Sequence, residues 1–335
     1  MSSVGNPRVL VAGASGFAGA IAARLLDTHP QFELAAVTSR SDAGRRLSEV
    51  YPHHRVDLVL EPLDIEGVHS DVDAAIVGYP HAASAPVVAQ LRERGVRVVD
   101  LSADFRLKDL PTYNDYYGEH PHPELIDQAV YGLPELNRDA IAAADLVAAP
   151  GCYPTAAILA LAPLARAGTL NDVVIDAKSG VSGAGRSATS TTHFVSVAEN
   201  VKPYKVGSHR HAPEIDQELS GLAGTDLRAT FTPHLVPLDQ GELVSCYLKA
   251  DVGADQALAL LEEAYRGERF IEVSAEPPGV RDVRETNMCR IHVTEDPRTG
   301  RLIVFAVIDN LWKGTASQAV QSLNLMFGFD EGAGL

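Results

Sequence analysis

The stretch "RVLVAGASGFAGAIAARLLDTH" (8–29) passes from a short apolar run through three glycines into apolar residues at helical spacing. An apolar run that stops at glycine reads as a buried strand. Phe17, Ile21 and Leu25, each four residues from the next, read as one face of a helix. Between them Gly13 permits a tight turn, Gly16 lets backbone approach a pyrophosphate, and Gly19 allows close packing of helix on strand. The helix start offers N–H groups to phosphates. The spacing is GxxGxxG rather than GxGxxG, so the pattern draws its meaning from its place after a first strand. Gly13, Ser15, Gly16, Phe17, Ala18 and Gly19 are the cofactor-loop candidates. The alternative is a strand–helix turn that needs glycine and binds nothing.

Outward from this stretch the alternation continues. Strand-like runs follow at 32–39, 73–80, 96–104 and 145–151, with a helical segment at 83–95. Continuous apolar strands separated by helices predict a parallel sheet covered on both faces. After residue 150 the character changes. Strand-like runs cluster at 172–190, 228–239, 241–251, 289–296 and 302–309, with helices at 255–267 and 312–328. The reading is α/β: a Rossmann-type doubly wound parallel sheet, then a second α+β domain with a mixed or antiparallel sheet.

Composition bounds the function. The chain has 335 residues, 46% hydrophobic and 21% charged, which suits two globular domains. A net charge of −16 argues against a nucleic-acid or anionic-membrane partner, yet leaves room for an anionic small substrate held by a few cations. Three widely spaced cysteines without CxxC point to a reducing cytoplasm. The start "MSSVGNPRVL" carries no signal-peptide pattern, and no apolar run reaches the roughly 18 residues of a membrane span.

The second strand bears on cofactor choice. NAD-preferring folds place an acid near its end to hold the ribose 2′-OH. Here Thr38, Ser39 and Arg40 stand there and no acid comes before Asp42, so NADP is expected. The competing reading is a solvated loop.

Cys152 lies in "APGCYPTA" between a strand and the apolar segment 155–168. With Pro154 in the first helical turn, the sulfur falls at or just before a helix N-terminus. Partial positive charge there favours thiolate. Cys246 and Cys289 sit within strand-like runs and read as packing residues. "GSHRHAPEI" (207–215) supplies the base candidates His209 and His211 around Arg210, ahead of Glu214. H-x-H without a third ligand at spacing is a poor zinc signal, so no metal is expected. The histidines at 52–54 and 120–123 read as loop residues, and His193, His234 and His292 as ordinary ones. "DLSADFRL" (100–107) brings Ser102 and Arg106 to a strand end, where a guanidinium fork suits a phosphate or carboxylate; a surface salt bridge is the alternative. "SGVSGAGRS" (179–187), with Ser179 and Gly180, is a Gly-rich loop suited to bind an anion or shape a site.

These segments, with "YGLPELNR", "FTPHLVPLDQGE" and "DNLWKGTASQAVQSLNLMFG", resemble the N-acetyl-γ-glutamyl-phosphate reductase family, relatives of aspartate-semialdehyde dehydrogenase, over nearly the whole chain. The resemblance implies a glyceraldehyde-phosphate-dehydrogenase-like fold. It implies an NADP-binding domain of 1–150 plus 312–335 and a catalytic and dimerisation domain of 151–311. It also implies NADPH-dependent reduction of the acyl phosphate through a Cys152 thioester, with His211 as base, in arginine biosynthesis. Ser102, Arg106, His209, Arg210 and Glu214 would lie on the substrate side. Ser39, Arg40, Ser179, Gly180 and Asn310 would lie on the cofactor side, Asn310 beside the nicotinamide. The partners implied are a small-molecule acyl phosphate and further copies of the chain, as dimer or tetramer. Four readings compete: among them, aspartate-semialdehyde dehydrogenase itself departs from the HRHxPEI segment, and a thiol hydrolase would have no use for the dinucleotide loop. A carrier-bound aminoadipyl-phosphate reductase of lysine biosynthesis would want a basic rim. A non-catalytic NADP-binding sensor would need no activated thiol.

Overall fold

A computed structural model describes residues 5–335. Residues 1–4 of the segment read as free of a signal lie outside it. The chain divides into two compact units, Met1–Pro150 with Thr315–Leu335, and Gly151–Gly314.

The first unit is built on one seven-stranded sheet: β1 (Arg8–Ala12), β2 (Glu33–Thr38), β3 (Leu60–Glu61), β4 (Ala74–Val77), β5 (Arg97–Asp100), β6 (Val130–Tyr131) and β7 (Leu146–Ala148). Every pairing is parallel, in the order β3-β2-β1-β4-β5-β7-β6. The helices are α1 (Phe17–Asp27), α2 (Leu47–Val50), α3 (Ala85–Glu93), α4 (Leu110–Tyr117) and α5 (Pro134–Ala142). All four residues of β4 are fully buried, as are Val9 to Ala12 of β1, because helices cover both faces. Strand order reverses between β1 and β4, the point where open α/β sheets bind ligands beyond their carboxyl ends. A C-terminal helix, α10 (Ser317–Met326), packs on α1, α5 and β5. Behind it Phe32 meets Phe327 and Phe329 with ring centroids 5.3 and 5.1 Å apart.

The second unit also holds a seven-stranded sheet: β8 (Leu170–Gly180), β9 (Lys202–Pro203), β10 (Thr230–Val236), β11 (Glu242–Ala250), β12 (Ile271–Val273), β13 (Cys289–Asp296) and β14 (Arg301–Ile308). Its order is β12-β13-β14-β11-β8-β10-β9. The β8–β10 and β12–β13 pairs are parallel and the rest antiparallel, so the sheet is mixed. The helices are α6 (Cys152–Arg166), α7 (Phe194–Val197), α8 (Ala212–Ala223) and α9 (Ala254–Ala264). Thirteen of the fifteen residues of α6 are buried. It packs on β8, β11 and β14 from one side and on α8 and α9 from the other. A helix apolar all round belongs in a core. Each of its fully buried Ile and Leu side chains contributes roughly 1.5–3 kcal/mol.

The structure departs from the sequence reading in three places. The short edge strands β3 and β6 carry no run long enough to show a period. The helix expected from Thr155 begins at Cys152, because Gly151, with φ −69° and ψ 158°, is the cap residue. His53 and His54, read as loop residues, belong to a short 3-10 helix, Pro52–His54, whereas His120 lies in a loop but is buried, with Nε2 2.6 Å from the Asp104 carbonyl. Among the described residues no helix is long and apolar enough to cross a membrane.

Candidate active site

The predicted site residues fall in two groups, one in each unit. In the second unit Cys152 is the first residue of α6 and is partly exposed, whereas Cys246 and Cys289 are fully buried. The Gly151 N–H donates to Glu214 Oε1 at 2.9 Å. Glu214 is itself buried in the first turn of α8, the helix capped by His211. A β-carbon on Gly151 would fall within 2.7 Å of His211 Cε1 and closer still to Nε2. The imidazole is therefore laid directly on the backbone that leads into Cys152. From another side, a β-carbon on Gly314 would stand 2.8 Å from Cys152 Cβ. Two glycines thus make room around the sulfur-bearing residue.

His209 and His211 have parted roles. The His211 N–H donates to His209 Nδ1 at 3.1 Å. Burial first, then the neighbouring His211, lowers the His209 pKa to about 3, so this ring is neutral at physiological pH. Tyr153 packs edge-on to both rings and donates its hydroxyl to the His234 carbonyl at 3.1 Å. His209 serves this aromatic cluster, and a group that stays neutral so far below pH 7 is a poor general base. Arg210 lies between them, half-buried.

Ser179, Gly180 and Asn310 form one braced corner. Gly180 N–H donates to the Gly241 carbonyl at 2.9 Å, and a β-carbon on Gly180 would meet the Asp239 carbonyl at 2.5 Å. Asn310 accepts from Gly241 N–H at 2.8 Å and donates to Ser182 Oγ at 3.0 Å. Next to this corner stands Glu242, which the sequence reading passed over. It is fully buried, its carboxyl is faced by Cys152 and Ser179, and burial pushes its pKa up to about 8. The signal was available: Glu242, Val244, Cys246 and Leu248 alternate along β11 and all four are fully buried, so the acid shares the core face.

In the first unit the glycine loop has the shape a dinucleotide needs. Gly13 has φ +86°, and a β-carbon there would lie 2.7 Å from the Gly78 carbonyl at the end of β4. A β-carbon on Gly19 would lie 2.5 Å from the Gly13 carbonyl, so α1 seats on the turn itself. Gly16 caps α1 without a side-chain hydrogen bond, and a β-carbon there would come no nearer than 3.5 Å to the Gly13 carbonyl. Phe17 and Ala18 open the helix. Ser15 Oγ and Ser39 Oγ are 2.7 Å apart, and the Arg40 guanidinium lies over the Tyr79 ring, 4.7 Å from its centroid. Asp42, the first acid after β2, is engaged by Arg45 at 3.0 Å. The β2 end therefore presents hydroxyls and a guanidinium, a donor set that suits a 2′-phosphate.

Ser102 and Arg106 are not surface groups. Ser102 donates to Asp100 Oδ2 at 2.6 Å and is buried. Burial raises the Asp100 pKa to about 6, against the hydroxyls of Ser102 and Ser84 that lower it. Arg106 is buried, donating from Nε to the Ala149 carbonyl at 2.7 Å and from Nη2 to the Leu101 carbonyl at 2.9 Å. It is held across the ends of β5 and β7, which rules out the surface salt bridge.

Residues 8–144 match the family described as the semialdehyde dehydrogenase NAD-binding domain, and residues 152–310 its dimerisation domain. The chain is 48% identical to the N-acetyl-gamma-glutamyl-phosphate reductase of Desulforudis audaxviator, covering 98% of this chain and 97% of that one. It is also 48% identical to the protein of the same name from Dehalococcoides mccartyi, over 96% of this chain and 95% of the relative. Among solved structures, aspartate semialdehyde dehydrogenase II from Vibrio cholerae superposes with a TM-score of 0.75 at 21% identity, over 96% of this chain and 99% of that one. An aspartate semialdehyde dehydrogenase with NADP from Candida albicans gives 0.69 at 16% identity, over 96% and 98%. At these identities the two structures speak for the fold.

Proposed function

The chain belongs to the N-acetyl-gamma-glutamyl-phosphate reductases of the semialdehyde dehydrogenase family, and from that premise we propose that it reduces N-acetyl-L-γ-glutamyl phosphate with NADPH. The products are N-acetyl-L-glutamate 5-semialdehyde and phosphate, a step of arginine biosynthesis. The observation that carries the reading is the placement of Cys152 at the head of a buried helix, with the His211 ring seated on the residue before it.

The residues act in sequence. His211 takes the Cys152 proton, and the thiolate attacks the acyl carbon. The helix start favours the anionic sulfur. The tetrahedral centre collapses, the carbon–oxygen bond to phosphate breaks, and a Cys152 thioester remains. The nicotinamide cofactor, when bound, supplies the hydride that reduces this carbonyl. The resulting thiohemiacetal collapses to the aldehyde, and the departing sulfur recovers its proton from His211. Protonated His211 also stabilises charge that develops on the carbonyl oxygen. Glu214 holds the backbone of Gly151 in place throughout. His209 and Arg210 belong to the same segment and are assigned to the substrate side. Ser102 and Arg106 are assigned to the acyl phosphate, for which a hydroxyl and a guanidinium at a strand end are suited donors.

NADP rather than NAD is favoured by the hydroxyl and guanidinium groups at the end of β2. Gly13, Ser15, Gly16, Phe17, Ala18 and Gly19 would hold the pyrophosphate, with Ser39 and Arg40 on the 2′-phosphate. Ser179, Gly180 and Asn310 are assigned to the nicotinamide side. Further copies of the chain are the expected protein partner.

The test is the reverse reaction: N-acetylglutamate semialdehyde, phosphate and NADP are supplied and NADPH formation is followed. Aspartate semialdehyde and NAD run alongside. Faster turnover of aspartate semialdehyde would reject the substrate, and equal rates with NAD would reject the cofactor preference.

A further inference from the structure

Glu242 stands beside the nucleophile, and the mechanism above gives it no task. It opens β11, paired in register with Ser179 on β8 and Ile308 on β14. The residue is fully buried, and neither carboxyl oxygen has a well-directed hydrogen bond among the described residues. The groups facing it are Cys152 and Tyr153 from α6, Ser179 from β8, Tyr204 near β9, and Asp309 just after β14. None of these is a cation, and Asp309 carries the same sign of charge.

A carboxylate in such a place is costly. Burial opposes its charged form more than the Cys152 and Ser179 side chains favour it. A second anion beside a thiolate would oppose the charge that attack requires. A carboxylic acid in the same place has neither fault. It is uncharged and owns an O–H, and the Cys152 side chain lies within hydrogen-bonding reach of it.

We propose that Glu242 works as a neutral carboxylic acid that donates a hydrogen bond to the Cys152 sulfur whenever that sulfur carries charge. The inference rests on Cys152 being the nucleophile. Glu242 then steadies the sulfur twice: as the attacking thiolate, and as the thiolate that leaves when the thiohemiacetal collapses. No proton leaves Glu242 in either step; the Cys152 proton still travels to His211 and back. Charge-assisted bonds of this kind are about twice as strong as neutral ones. The rise of the Glu242 pKa to about 8, caused first by burial, agrees with an acid that keeps its proton at neutral pH.

Two neighbouring groups coupled this closely lose their protons in two linked steps. The rate at which iodoacetamide alkylates Cys152 across pH reads this directly, since Cys246 and Cys289 are fully buried. The full chain should give one inflection more than Glu242→Gln, because the step that Cys152 shares with His211 is common to both. A cooperative melting curve checks that the variant is folded. An infrared difference spectrum of the wild-type chain, before and after alkylation at neutral pH, gives a second reading that needs no variant. It should show a carboxylic-acid C=O band perturbed by the modification. Profiles with the same number of inflections in both proteins, or a difference spectrum without that band, overturn the proposal. Full turnover by Cys152→Ser would instead overturn the nucleophile itself, so the two failures are distinguishable.

Discussion

Glu214 accepts the backbone N–H of Gly151 at 2.9 Å, and this one bond ties the helix that carries Cys152 to the helix capped by His211. Both partners are buried. Truncation leaves the N–H without its acceptor at a cost of about 1–3 kcal/mol. Glu214→Ala should therefore lower thermal stability and reduce kcat by tenfold or more, with KM changed less. Glu214→Gln keeps an acceptor and should recover most of both. Steady-state kinetics and a melting curve check the pair; an alanine variant with full kcat would remove Glu214 from the positioning of the thiol.

Gly151 has no room for a side chain, since a β-carbon there would press into the His211 imidazole. Its φ of −69° is open to any residue, so Gly151→Ala tests space and not backbone strain. The ring must move. We expect a loss of about a hundredfold in kcat, the scale of a misplacement near 1 Å, with the first unit's cofactor affinity kept. Unchanged kcat would mean that the His211 ring position is not critical.

Cys152→Ser should lose turnover by roughly a thousandfold or more, because a serine hydroxyl is a weak nucleophile without thiolate character. NADPH binding, followed by nucleotide fluorescence, should stay as in the wild type, since the glycine loop of β1 and α1 belongs to the other unit. Measurable turnover near the wild-type rate would end the thioester mechanism.

Arg40 lies over Tyr79 and stands where an NAD-preferring sheet would carry an acid. Arg40→Ala should weaken NADPH by at least tenfold, a loss on the scale of one charge-assisted hydrogen bond, and leave NADH nearly unchanged. Titration with both nucleotides decides it. Equal losses would show that Arg40 supports the fold of the loop and does not read the 2′-phosphate.

Glu242 links the site to stability. Its pKa is about 8 folded and 4.5 as an ordinary glutamate, so the folded state holds the proton more tightly. Unfolding releases that proton between these values, and stability falls as pH rises through the window, by up to a few kcal/mol. Glu242→Gln has no proton to release. Its stability relative to wild type should grow from pH 5 to pH 8, read by denaturant midpoints at several pH values. A constant difference across that range would mean that the carboxyl is ionised throughout.

The glycine turn, the strand–helix alternation around it and the change of pattern after residue 150 are local features, and local sequence carries them. The bounds of β13, Cys289–Asp296, can be read from the chain because its apolar residues are contiguous or alternate. The edge strands β3 and β6 cannot, since two residues have no period and exist only where a neighbouring strand supplies hydrogen bonds. The same difference separates the site residues. Cys152 and the HRH segment stand out as rare residues in turn contexts.

By itself the sequence determined the α/β class, the nucleotide loop and a thiol at a helix start, because each depends on residues adjacent in the chain. Only the tertiary structure decided that burial keeps the His209 ring neutral, that Arg106 is buried among carbonyls, and that Glu242 faces Cys152. Those facts depend on burial and on neighbours far away in sequence. Desolvation sets the charge of a group, and it exists only once the chain has closed around it.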